Sequence, residues 1–68
     1  MKGKVKFYAD KNTAQNQFFC WQVSSYDGAI KCLKRFILRG WFIRAAYFHN
    51  ATGHQKPIPI HNGSPVIK

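Results

Sequence analysis

The stretch SSYDGAIKCLKRFILRG, from Ser24 to Gly40, decides how the rest of the chain is read. Within it Tyr26, Ala29, Ile30, Leu33, Phe36 and Ile37 recur at helical spacing and form one apolar stripe of ordinary width. Ser24 is placed to cap the helix, Asp27 answers it three residues on at the positive end of the dipole, and Gly40 supplies the positive-φ residue that commonly ends a helix. Lys31, Lys34, Arg35 and Arg39 occupy the opposite side and crowd toward the C-terminal half, where the dipole favours cations.

On either side of this helix the periodicity drops to two. Lys4 to Ala9 alternates, with Val5, Phe7 and Ala9 on one face and Lys4, Lys6 and Tyr8 on the other. Asp10 to Asn16 is polar and reads as a loop. Gln17 to Val23 reads as a second strand, with Phe19, Trp21 and Val23 on one face and Phe18, Cys20 and Gln22 on the other. If the two strands pair, Phe18 shares a face with Lys4, Lys6 and Tyr8.

After the helix, Trp41 to His49 alternates again, with Trp41, Ile43, Ala45 and Tyr47 opposed to Phe42, Arg44, Ala46 and Phe48. Asn50 to His54 is a turn. Gln55 to Ile60 is a short extended segment whose Pro57 and Pro59 confine it to a sheet edge. The order β-β-α-β-β predicts an α+β fold: a single small domain with a three- to four-stranded, mainly antiparallel sheet and one helix packed on one face. Residues 1–60 form this basic domain and residues 61–68 a C-terminal tail.

Composition sets the limits. In 68 residues, eleven Lys and Arg against two Asp give a formal charge of +9, while 46% of residues are hydrophobic and 16% aromatic. So many apolar side chains collapse, which excludes a disordered polycation, and the length excludes a two-domain enzyme. Cys20 and Cys32 are too few for a disulfide framework and read as free thiols. No apolar run follows the basic start, and the apolar stretch near Phe36 to Phe48 is interrupted by Arg39, Gly40 and Arg44, so neither a secretory signal nor a membrane span is expected. The expected location is cytoplasmic, with no membrane partner.

Chemistry is poorly provided for. Two acids cannot supply paired carboxylates beside a helix cap, no Gly-rich phosphate loop occurs, and no local signature surrounds either Cys. Cys20, Cys32, His49, His54 and His61 lack the close Cys pairs of a zinc site. No enzymatic activity, metal or cofactor is expected.

Charge is the anomaly. After Asp27 the chain has no acid, while Lys31, Lys34, Arg35, Arg39, Arg44, Lys56 and Lys68 follow. A basic surface with interleaved aromatics suits nucleic acid, DNA or RNA, bound with little sequence specificity. The candidate phosphate contacts are Lys4, Lys6, Lys31, Lys34, Arg35, Arg39 and Arg44, and the candidate stacking residues are Phe18 and Phe42. The alternative is a protein-interaction module, a regulator or inhibitor of the small phage type. Such a module would dock its cationic helix face and the Pro57-Ile58-Pro59-Ile60 edge on an acidic protein surface. A homodimer fits either reading, because so short a chain has a thin core.

Overall fold

The alternation in β1 (Gly3–Lys11) organises the molecule, which a computed structural model describes over residues 3–66. Val5, Phe7 and Ala9 point to one side and are wholly buried, while Lys4 and Tyr8 on the other side are exposed. β1 is flanked by β2 (Ala14–Val23) and β3 (Phe42–His49), and β4 (Gln55–Ile58) adds outside β3, giving a four-stranded antiparallel sheet of order β2-β1-β3-β4. This is the α+β architecture expected, with one helix, α1 (Tyr26–Leu38), on one face.

The core lies between α1 and that face. Ala29 and Leu33 of the helix meet Val5, Phe7, Ala9, Ile43, Ala46 and Ile58 of the sheet, and the ring of Phe36 stands edge-on to that of Phe7 at 4.9 Å. Burying each large side chain stabilises by about 1.5–3 kcal/mol, so this small cluster supplies most of the driving force for folding. The helix ends on Arg39 and a left-handed Gly40 (φ 96°), as the sequence predicts. Its cap is Ser25, one residue later than expected: the Ser25 hydroxyl accepts the Gly28 N–H at 3.2 Å, leaving Asp27 within the first turn.

Three further expectations change. Asp10 to Asn16 is not a loop, because the strands run on to a two-residue turn at Asn12 and Thr13 with Lys11 opposite Ala14. The extra residue in β2 forms a bulge at Gln15 and Asn16, where Asn16 takes a left-handed backbone (φ 55°) that its short polar side chain tolerates.

The alternation of β3 also breaks. Ile43 sits opposite Ala9 and Ala45 opposite Tyr8, so Arg44 bulges between them. Beyond the bulge the faces exchange: Ile43, Ala46 and Phe48 face the helix, and Phe42, Ala45 and Tyr47 face away. Phe42 and Phe48 therefore lie on opposite faces of the sheet.

Asp10 ties the two bulges together. One carboxylate oxygen accepts the Asn16 N–H at 2.6 Å, and the other pairs with the guanidinium of Arg44. The Asn16 N–H, with Arg44 assisting, holds the Asp10 carboxyl below its usual range.

The stretch from His61, read as a tail, is instead a hairpin. β5 (Ile60–His61) and β6 (Ser64–Pro65) pair across Asn62 and Gly63, both with positive φ, in the mirror-image turn that Asn-Gly favours. Ile67 and Lys68 lie outside the described residues. The hairpin packs beside α1 and β3, and the Gly63 carbonyl accepts the Ile43 N–H at 3.0 Å. A Cβ on Gly63 would overlap the Phe42 ring.

Two outcomes follow. Gly63→Ala should destabilise the fold by more than Gly53→Ala, which shares a positive φ but has open space around it. The backbone penalty common to both is roughly 1–2 kcal/mol, and the clash with Phe42 adds to it only at Gly63; urea midpoints of the two variants check this. Because the Asp10 carboxyl is held low in the folded state, its contribution is present above the ordinary carboxylate range, about pH 4, and is lost as pH falls through the folded value. Asp10→Asn should thus lower the melting temperature at neutral pH, and the gap from the parent should close in strong acid.

Candidate nucleic-acid interface

With α1 on one side, the opposite face of the sheet carries its side chains in cross-strand rows. The register places Gln22, Lys4, His49 and Gln55 in one row, Cys20, Lys6, Tyr47 and Pro57 in the next, and Phe18, Tyr8 and Ala45 in a third. Tyr8 and Phe18 sit directly opposite each other with ring centroids 5.1 Å apart and tilted by 50°. They remain 45% and 52% exposed, which is unusual for rings in a domain with so little core. Lys4 and Lys6 line a shallow hollow of about 230 Å³ with Gln22 and His49.

Phe42 lies one row beyond Tyr8, opposite Asp10, and is 49% exposed. Its ring backs onto Gly63, and the Arg44 guanidinium stands 5.9 Å from its centre. Arg44 is paired with Asp10, so its charge is partly neutralised before any ligand arrives. Lys4, Lys6, Tyr8, Phe18 and Phe42 thus share one face, with Arg44 at its margin.

The remaining predicted contacts are elsewhere. Lys31, Lys34, Arg35 and Arg39 are exposed on α1, on the far side of the molecule from Tyr8 and Phe18. Lys31 and Lys34 overlook a groove of about 710 Å³ between α1 and the β4–β5 edge, floored by Tyr26, Ile30, Pro57 and Pro59. Lys56 also lines it, with its ammonium 4.5 Å from the centre of the Tyr26 ring. The nine predicted residues therefore form two basic surfaces back to back.

Tyr47 and His49 are site-face residues that alternation counted through β3 misplaced or left out. The bulge at Arg44 shifts Tyr47 to the open face, and only the pairing with Lys6 reveals it. Phe48, on the helix face, is half-buried and edge-on to Tyr26 at 5.9 Å.

The polar groups that might carry other chemistry are scattered. Among the described residues no cluster of three or more His, Cys, Asp or Glu is placed to hold a metal ion. Asn50 organises its own turn, its side-chain oxygen accepting from the N–H groups of Thr52 and His54 and from the Thr52 hydroxyl, which in turn lies 3.0 Å from Nδ1 of His54. Both cysteines are free thiols. Burial pushes the Cys32 thiol up, against a smaller opposing effect of Arg35, which favours its protonated form. No helix among the described residues is long and apolar enough to cross a membrane.

No protein-family model matches this chain, and neither a curated protein nor a solved structure matches it.

Proposed function

We propose that the protein binds nucleic acid with little sequence specificity, laying a strand across the open face of its sheet. The observation that supports this reading is the exposed Tyr8–Phe18 ring pair beside Lys4 and Lys6 on a face that the helix leaves uncovered. Bases stack on exposed rings whatever their sequence, and neighbouring ammonium groups follow the phosphates. Phe42 extends the platform by one row. The helix cations act on this face only through the long-range field, which attracts a polyanion without positioning it.

A second reading is favoured by the groove beside α1. Three lysines, Lys31, Lys34 and Lys56, outnumber the one carboxylate in the groove, Asp27, and with a floor of Tyr26, Ile30 and two prolines they suit an acidic protein segment with apolar residues. This is the protein-interaction alternative, and it uses the opposite side of the molecule.

Fluorescence anisotropy with a labelled oligothymidylate and a labelled duplex, titrated between about 50 and 200 mM salt, separates the two. Affinity for nucleic acid should fall linearly on logarithmic axes. Replacing Lys4 and Lys6 with Gln should flatten the slope by about two, roughly one for each lost phosphate contact. Phe18→Ala should weaken single-strand binding about 5- to 150-fold and duplex binding much less. Replacing Lys34, Arg35 and Arg39 with Gln should cost less than the Lys4 and Lys6 pair. No binding by the parent at low salt, or a larger loss from the helix triple, overturns the assignment to the sheet face.

A further inference from the structure

The two edges of the sheet are treated differently. On the β4 side, Pro57 and Pro59 remove backbone donors, and the strand is interrupted after four residues. On the β2 side, nothing of the kind is present. The bulge at Gln15 and Asn16 disturbs only the hairpin end, and from Gln17 to Val23 the pairing with β1 is regular. Among the described residues, its outer row of backbone groups has no neighbouring strand in the sheet.

The composition of this edge is as unusual as its length. In a chain of net charge +9, the fifteen residues between Lys11 and Asp27 contain no Lys, Arg, His, Asp or Glu, the longest such interval in the sequence. Protective edges ordinarily carry charge, above all Lys.

Exposed rings project from both faces of this strand. Phe18 stands on the open face, and Trp21 stands on the helix face, where its ring reaches to 6.1 Å from Phe36 of α1 yet stays half exposed. A ligand lying on either face would cover one ring. Only a strand added alongside, in the plane of the sheet, flanks both.

We infer that β2 is a self-association edge, at which Gln17–Val23 pairs antiparallel with the same segment of a second copy to give a continuous eight-stranded sheet. The occupant is a second copy because a two-fold interface sets each patch against itself, and in a chain this basic only an uncharged patch can meet itself without opposing like charges. Full overlap of the seven-residue segments puts their midpoint, Cys20, on the two-fold axis. Each Cys20, exposed on the open face, then lies opposite its symmetry mate.

Sedimentation velocity between about 10 and 500 µM, without nucleic acid, should show a monomer–dimer equilibrium. This association should strengthen with salt, because screening relieves repulsion between two cationic subunits, the opposite sign to nucleic-acid binding. The two readings therefore fail separately. Diamide, reduced to its hydrazine as two thiols lose two protons and two electrons, should join Cys20 to Cys20. The cross-link should persist in Cys32→Ser and vanish in Cys20→Ser, which should still dimerise. Cys20→Lys places two ammonium groups face to face and should weaken dimerisation at least tenfold. Circular dichroism checks that it is folded, and Gln22→Lys, another exposed position on β2, serves if it is not. A parent that stays monomeric throughout, a dimer indifferent to these lysines, or a cross-link absent from the parent dimer overturns the inference.

Discussion

One helix of thirteen residues shelters one side of the β1-centred sheet, and the rest of the structure follows from that inequality. Val5, Phe7 and Ala9 are buried because Leu33, Ala29 and Phe36 lie over them. Their alternate neighbours Lys4, Lys6 and Tyr8 are turned outward by the same pleat. Hydrophobic burial and a positively charged outer face are therefore two results of one strand's alternation. A slip of one residue in β1 would exchange them and bury two lysines, so the register is strongly fixed.

Asp10 refines this arrangement. Bulges on both flanks of the central strand converge on its carboxylate, one through a backbone N–H and one through a guanidinium. The bulge at Arg44 allows Ile43, Ala46 and Phe48 all to serve the core while Phe42 and Tyr47 join the opposite face. A chain with only two acids thus uses one beside a helix N-terminus and the other where three strands meet.

The helix, the pleat of β1, the shared face of Phe18 and Tyr8, and the α+β class were legible because each rests on a periodic pattern of apolar residues. The β3 bulge was not, since it adds one residue through pairing with β1 and leaves no local trace: Arg44 looks like any residue of an alternating strand. The hairpin from Ile60 to Pro65 had a local trace in Asn62-Gly63, a strong turn signal, but the short runs and two prolines around it masked the strands. Of the candidate site, the residue types and the sheet-face grouping were readable. That the helix cations lie behind the rings instead of among them required the three-dimensional arrangement.

Pro57 in β4 and Pro59 just beyond it have a consequence at a larger scale. A sheet that accepts neighbours on both sides can extend without limit, whereas Pro57 and Pro59 leave this one with a single edge free of proline. Strand addition at β2 would therefore stop at two copies, because the joined sheet would present only its proline-bearing edges.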